Sequence, residues 1–135
     1  IYEAPVEGSI TRLMAIIEDY DNIPRIGSVR SCRDYFLFYA NEYDAIYSHY
    51  GQAVYALQYL DQHLIDNLNG LTLGNAYYRS TDRVAPHNAY TDFSHLQAGI
   101  QRAIARIIKR TIMVISSLHR KELRQPWMTE FLQML

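Results

Sequence analysis

The fold class is decided by residues 23–51, whose sequence is I-P-R-I-G-S-V-R-S-C-R-D-Y-F-L-F-Y-A-N-E-Y-D-A-I-Y-S-H-Y-G. The stretch begins as a polar turn with a glycine, continues as an apolar helix and ends as a short strand at His49. Anions bind at helix starts, and α/β proteins often keep their ligand sites at the ends of strands. The stretch therefore predicts an α/β domain with a polar site, in which a small sheet is covered by helices.

The chain of 135 residues has the composition of one globular domain, with 49% hydrophobic and 20% charged residues. A formal net charge of −1 gives no reason to expect a nucleic-acid partner. Because Cys32 is the single cysteine, an internal disulfide and a cysteine-based metal site are excluded. The sequence contains no signal peptide and no apolar run of membrane-spanning length. Because it begins with Ile1 and not with methionine, we expect a fragment of a longer protein.

The charge is divided unevenly along the chain. Residues 1–100 contain 6 basic and 12 acidic residues, whereas residues 101–135 contain 7 basic and 2 acidic ones. All 12 tyrosines lie at or before Tyr90. Such a break is typical of a domain boundary, so we expect a partial α/β domain over residues 1–100 and a basic helical or disordered tail over residues 101–135.

Hydrophobic periodicity and turn residues predict the individual elements. We expect extended chain over residues 1–8, strands over 10–17, 44–51 and 71–78, a loop over 65–70, and helices over 32–42, 52–64 and 93–100. Ser31 and Asp34 have the spacing of a capping box, and Thr91 or Asp92 is placed to cap the last helix. The second helix has core residues at helical spacing, namely Val54, Leu57, Leu60 and Leu64.

Two arginines, Arg30 and Arg33, stand at the predicted start of the first helix. Unpaired backbone N–H groups and the helix dipole make that position favourable for a phosphate or a carboxylate. The alternative is that Arg33 forms an ion pair with a nearby acid, either Glu42 or Asp44.

A second polar segment, residues 79–90, is rich in hydrogen-bond donors. Its candidate ligand-binding residues are Arg79, Arg83 and Asn88, and it also contains His87. Polar loops of this kind carry function more often than core segments do. The alternative is an ordinary loop that is held by an Arg–Asp pair.

Several motifs follow one another in a fixed order: Y-E-A-P-V-E-G at 2–8, T-R at 11–12, I-G-x-V-R-S-x-R-x-Y-F at 26–36, E-Y-D-A at 42–45, H-x-G at 49–51, N-x-N-G at 67–70, Y-R at 78–79 and R-x-A-P-H-N-x-Y at 83–90. In these motifs residues 2–100 resemble the YerB-like lipoproteins of Gram-positive bacteria, a family defined by a domain of unknown function. The resemblance implies an extracytoplasmic protein, held to the membrane only by a lipid on an N-terminal cysteine that this sequence lacks. It also implies a first strand before Ile1, and it implies no reaction.

The polar residues of these motifs come from five places in the chain: Glu3, Glu7, Arg12, Arg30, Arg33, Asp44, His49, Arg79, Arg83, His87 and Asn88. If they converge, they form a cleft suited to an anionic or zwitterionic ligand. Our first hypothesis is therefore a module that binds an anionic component of the cell envelope.

Two other functions remain open at this point. A hydrolase or transferase would use His49 or His87 as its general base, oriented by Asp44 or Glu7. The motifs G-x-S-x-G, G-x-x-x-x-G-K-[ST] and H-E-x-x-H are absent from the sequence, and no cofactor is predicted. The third hypothesis is a metal site formed by His49, His87 and an acid.

The last third departs from the family pattern, which leads us to expect a β segment and an Asp-Asp-Gly turn there. Residues 101–108 instead read as a basic helix and are followed by an apolar run to Leu118. One interpretation is a helix that lies on a membrane surface or on a partner. The other is a translational frameshift, because codons permitted for residues 125–133 spell Ala-Met-Asp-Asp-Gly-Ile-Ser-Ala in another frame. We hold as a hypothesis that residues from about 101 onward are out of frame.

Overall fold

The computed structural model describes the backbone of residues 1–116 and the side chains of residues 1–106. Within that part of the chain the helices are Asp34–Asn41 (α1), Val54–Asp61 (α2) and Phe93–Ser116 (α3). The strands are Tyr2–Val6 (β1), Ile10–Met14 (β2), Ile26–Gly27 (β3), Tyr47–His49 (β4), Asn67–Asn69 (β5), Tyr78–Arg79 (β6) and Ala89–Thr91 (β7). Two short 3₁₀ turns cover Tyr20–Asn22 and Gly74–Ala76. The predicted α/β class is confirmed.

The strands of this described part are divided among three small sheets. β1 and β2 form an antiparallel hairpin, β4 and β5 form a parallel pair, and the third sheet has the antiparallel order β3-β7-β6. The hairpin turn contains Gly8 and Ser9, both with positive φ (78° and 57°), a conformation that glycine adopts readily. Tyr2 stacks on Tyr39 of α1 at a centroid distance of 4.9 Å, so the hairpin is held against that helix.

Helix α1 begins later than the capping box predicts. Its N-cap is Arg33, and no side chain caps it. The reason is that Cys32 is part of a β-bridge and not of the helix. It pairs with Gln52 as an isolated bridge and donates its N–H to the carbonyl of Gly51 at 2.9 Å. The chain around Ser31 is therefore extended, and the capping-box prediction is wrong.

The core lies between the hairpin, α1 and α2. Its buried members are Met14, Cys32, Phe36, Leu37, Ala40, Ala56 and Ile65. The core predicted for α2 is partly wrong, because Val54 is 78% exposed and Leu57 is 39% exposed. Instead Ala56 is fully buried and Leu60 packs against the core, so the buried face of α2 is rotated from the predicted one.

Residues 67–69 form a strand where the sequence predicted a loop, and the strand predicted over 71–78 is present only at its end as β6. Asparagine is uncommon in strands, but the side chain of Asn69 is used here. Its amide donates to Gln52 Oε1 at 2.9 Å, and its Oδ1 accepts the N–H of Leu71 at 3.0 Å. The Asn69-Gly70 turn signal in the sequence therefore marks the turn that follows the end of strand β5.

Helix α3 is capped as predicted, since Asp92 Oδ1 accepts the N–H of His95 at 3.0 Å. It extends to Ser116, beyond the predicted end near residue 100. None of the helices described up to that residue has the length and hydrophobicity needed to cross a bilayer. The chain divides into two units between Ile100 and Gln101, and all strands found within residues 1–116 lie in the first. The tail prediction for residues 117–135 lies outside the described residues, and the frameshift stays a hypothesis.

Candidate anion-binding site

Three arginines surround the extended segment that leads into α1. Arg12 Nη1 donates to the carbonyl of Ser31 at 2.9 Å, and Arg33 Nη1 donates to the carbonyl of Cys32 at 3.1 Å. Burial lowers the pKa of Arg12, and the nearby charges of Arg33 and Arg30 lower it further. Positive charge is therefore concentrated here, in a unit whose acidic residues outnumber its basic ones.

One of these arginines is neutralised. Arg33 Nη2 lies 2.6 Å from Glu7 Oε2, and the side chain of Arg33 is only 11% exposed. The hydrogen bond from Arg33 is the main cause that lowers the pKa of the Glu7 carboxyl. The acid that pairs with Arg33 is thus Glu7, whereas the sequence suggested Glu42 or Asp44. The pair joins the hairpin turn to the start of α1.

A small cleft of about 80 Å³ brings Arg30 and Arg79 together. Arg30 Nη1 donates to the carbonyl of Pro86, and Arg79 Nη1 donates to Asn88 Oδ1 at 2.7 Å. The Arg79 guanidinium also lies 4.5 Å from the centroid of the Tyr50 ring, which is a cation–π distance. The partners that orient the two guanidinium groups are therefore neutral.

Neither arginine of this cleft has an ion pair among the described side chains. The ion pairs found there are Arg25–Asp82, Arg33–Glu7 and His95–Asp92. A guanidinium carries five N–H groups in a planar fork that matches phosphate and carboxylate. Arg30 and Arg79 thus face the cleft with charge and donors that an anion is able to use.

His49 lies elsewhere and is fully buried. Its Nδ1 lies 2.8 Å from the carbonyl oxygen of Gly51, and its Nε2 lies 3.1 Å from Asn67 Oδ1. Burial is the main cause that lowers the pKa of this imidazole. Both ring nitrogens face oxygen atoms of the protein, and the neutral ring, which has one N–H, donates to one of them. The ring thus links the end of β4 to β5.

The remaining predicted residues are dispersed. His87, Asp44 and Arg83 are all exposed. His87 lies with Arg12 and Arg30 on a larger cleft of about 840 Å³. No hydrogen bond joins either predicted base to Asp44 or Glu7 within residues 1–106. The arrangement expected of a hydrolase or transferase is therefore not assembled.

The metal hypothesis has no support in the described side chains, where no three His, Cys, Asp or Glu residues lie close enough to hold an ion. Tyr50, in contrast, is a site residue that the sequence reasoning missed. Its ring stacks with Arg79, and its position between His49 and Gly51 was the available signal. Tyr50 follows β4 and Arg79 lies in β6, so their contact becomes visible only in the folded structure.

Comparison with known proteins gives consistent results. A family model described as "Protein of unknown function (DUF3048) N-terminal domain" matches residues 1–106. The "Putative lipoprotein YerB" of Bacillus subtilis (strain 168) is 34% identical over 104 residues, which are 76% of this chain and 31% of that protein. The crystal structure of YerB from Bacillus subtilis matches with a TM-score of 0.69 and 34% identity, over 75% of this chain and 35% of that one.

The chain thus spans about a third of the length of the curated relative that it matches. The similarity to YerB that the motifs predicted is confirmed by both sequence and structure. Because the family model covers more than half of the chain, this protein belongs to the DUF3048 family, and the model of that family's N-terminal domain matches residues 1–106.

Proposed function

We propose that this domain is an extracytoplasmic module of a lipoprotein and binds an anionic group of the cell envelope between Arg30 and Arg79. The location is supported by the relative named as a putative lipoprotein. The ligand class is supported by one observation above the others. Two arginines from distant segments line one cleft, and neither has a carboxylate partner among the described side chains.

The size of the cleft indicates a small anionic group. A space of about 80 Å³ lies well below the roughly 300–1,000 Å³ typical of sites for whole drug-sized ligands. A phosphate or carboxylate that projects from a larger molecule is the appropriate occupant. Guanidinium groups bind such anions through charge-assisted, often bidentate hydrogen bonds. Tyr50 and Asn88 hold Arg79 in place for that contact.

A catalytic role has less support. General-base catalysis needs a base within hydrogen-bond reach of the proton that it removes. His49 is fully buried and its two ring nitrogens already have partners. His87 is exposed, and no carboxylate orients it within residues 1–106. Binding without turnover is thus the function that these residues support best.

The test is titration of the full 135-residue chain with inorganic phosphate and pyrophosphate, followed by NMR or calorimetry. We expect Arg30→Gln and Arg79→Gln each to weaken binding by about tenfold, because each removes a charge-assisted hydrogen bond. Binding should also weaken as salt is added.

Arg83→Gln is the matched control, since Arg83 is an exposed arginine of the same loop that does not line the cleft. We expect it to bind both probes as the unchanged protein does. Equal losses in all three variants would indicate nonspecific attraction, and unchanged binding in Arg30→Gln would refute the site.

A further inference from the structure

The larger cleft has an unusual lining. Every residue from Ile10 to Glu18 lines it, and so does every residue from Ile26 to Ser31. Side chains of a strand alternate between its two faces. A strand that presents only one face to a cleft would therefore contribute every second residue. The unbroken lining indicates that the backbone edge of β2 faces the cleft.

The hydrogen bonding of the hairpin supports this orientation. Tyr35 Oη donates to the carbonyl of Pro5 at 2.9 Å, so that carbonyl points away from β2. Pro5 is paired with Thr11, and Glu3 is paired with Leu13 two residues further along. In antiparallel pairs, hydrogen-bonded and non-hydrogen-bonded pairs alternate. Thr11 and Leu13 therefore direct their N–H and C=O groups away from β1.

Within the described part of the chain, these outward groups have no backbone partner. Among the described residues, neither Thr11 nor Leu13 hydrogen-bonds to the backbone of a segment outside the hairpin. β3, which also lines the cleft, is an edge strand of the order β3-β7-β6. The unpaired edge of β2 thus borders the cleft, and unpaired edges are templates for an added strand.

We propose that the cleft binds an extended segment of a partner protein, which pairs with β2 as an additional strand. This binding mode is β-augmentation, in which main-chain hydrogen bonds give affinity and pockets for alternate side chains give specificity. The volume of about 840 Å³ lies within the range of roughly 300–1,000 Å³ seen for binding pockets. Ile10 and Leu13, which line the cleft, are 54% and 67% exposed and offer apolar contacts.

Charge defines the chemistry of the partner segment. Arg12 and Arg30 line the cleft, and Glu18 is the one acid among its described lining residues. Arg12 lies within β2, so an acidic residue of the added strand would lie close to it. The segment should therefore be apolar at alternate positions and carry an acidic residue near the arginines. The proposal shares Arg30 with the phosphate site and does not depend on it.

The test uses a synthetic peptide of about six residues, the usual strand length, with alternating valine and threonine around one central glutamate. We expect it to bind the full chain and to slow hydrogen exchange at the amides of Thr11 and Leu13. The same peptide N-methylated at the residues that face β2 lacks the donors for pairing, so we expect at least tenfold weaker binding.

Two variants at one position separate pairing from hydrophobic contact. Leu13→Pro removes the outward N–H, and proline is tolerated on an edge strand. Leu13→Ala removes the apolar side chain and keeps the N–H. We expect Leu13→Pro to bind the peptide at least fivefold more weakly than Leu13→Ala. Arg79→Gln should leave peptide binding unchanged while phosphate binding falls, which distinguishes this proposal from the proposed function.

Several results would overturn the proposal. Equal affinity of the methylated and unmethylated peptides would exclude strand pairing, even if Leu13→Pro did not fold. Exchange protection of Thr11 and Leu13 without peptide, rising with protein concentration in parallel with dimer formation, would assign the edge to a second copy. Dodecyl phosphate is the probe for an amphiphilic ligand. If it shifts the NMR signals of the side chains in the cleft but not those of the Thr11 and Leu13 amides, and the peptide does not bind, the cleft is assigned to an amphiphile.

Discussion

The β4–β5 pair and the Arg30–Arg79 cleft treat their polar groups in opposite ways. Around His49 every polar side chain finds a partner within the protein, and no buried side-chain nitrogen or oxygen among the described residues lacks one. In the cleft, Arg30 and Arg79 have neutral partners and no carboxylate there. A buried polar group without a partner costs free energy, whereas an exposed cation without one remains available to a ligand.

This difference assigns roles to residues that look alike in the sequence. His49 and Arg79 are both polar members of the family-like motifs. His49 is fully buried, but Arg79 is exposed and lies on the rim of a cleft. Burial makes the first a stability determinant, and exposure with unbalanced charge makes the second a candidate for binding. Three substitutions test that division.

The largest effect is expected for His49→Ala. The change leaves a cavity and removes the partner of the Gly51 carbonyl and of Asn67. We expect the free energy of unfolding to fall by about 3 kcal/mol, measured by chemical denaturation. The exposed His87→Ala is the control and should change stability by less than about 0.5 kcal/mol. A stable His49→Ala protein would show that this ring is not structural.

The pH dependence of stability is a second readout of the same ring. Burial lowers the pKa of His49 from 6.5, so the unfolded chain takes up a proton at a higher pH than the folded one does. Stability should therefore be retained above about pH 6.5 and fall as the pH decreases below it. Asp82 and Asp92, each with a pKa lowered to about 2, add their losses only at more acidic pH, below about 3.8. In His49→Ala, the loss of stability that begins near pH 6.5 should be absent, and the loss at more acidic pH should remain.

The second prediction concerns Gly70, where the two regions meet. A Cβ added there would overlap the ring of Tyr50, the residue on which the Arg79 guanidinium stacks. We expect Gly70→Ala to cost about 1–3 kcal/mol of stability and, because the ring must move, to weaken phosphate binding as well.

Gly74→Ala is the matched control for this prediction, because a Cβ at Gly74 meets no atom within 4 Å. It should change neither stability nor binding by a measurable amount. Loss of stability in Gly70→Ala with unaltered phosphate binding would show that Tyr50 does not position Arg79.

The sequence predicted the composition of the fold better than its arrangement. The first strand, both short helices and the Asp92 cap follow from local patterns, and local patterns are visible in sequence. The partner of Arg33 was missed because Glu7 is 26 residues away and comes close only through the hairpin. Likewise, no local signal shows that residues of β2 and β3 line one cleft.

The candidate site was predicted in part. Arg30, Arg79 and Asn88 were named from the motifs; Arg30 and Arg79 line one cleft, and Asn88 accepts a hydrogen bond from Arg79. Residue type could not separate them from His49, because burial depends on contacts made by distant segments. His49 lies at the end of a strand as predicted, but its ring contacts Gly51 and Asn67, which no local pattern reveals.

The smallest expected effect tests the balance of charge directly. Glu7 pairs with Arg33, and its charge also acts on Arg12, whose pKa it raises against the effects of burial and of the other arginines. Glu7→Gln removes the carboxylate nearest to this group of arginines. One unit charge at a distance of about 8 Å in water changes an interaction energy by about 0.5 kcal/mol. We therefore expect phosphate to bind about twofold more tightly at low ionic strength.

Two controls, added salt and removal of a second carboxylate, distinguish an electrostatic gain in phosphate affinity from a change in structure. The gain should disappear at about 1 M salt, where the screening length is roughly 3 Å. Glu3→Gln removes an exposed carboxylate from the same hairpin, and no arginine contacts Glu3 among the described side chains. It should leave phosphate affinity unchanged. If both variants gain phosphate affinity equally, net charge and not the arrangement of the arginines controls binding. If Glu7→Gln loses phosphate affinity, the ion pair positions Arg33 and its neighbours. Arg33 would then belong with the binding residues and not with the structural ones.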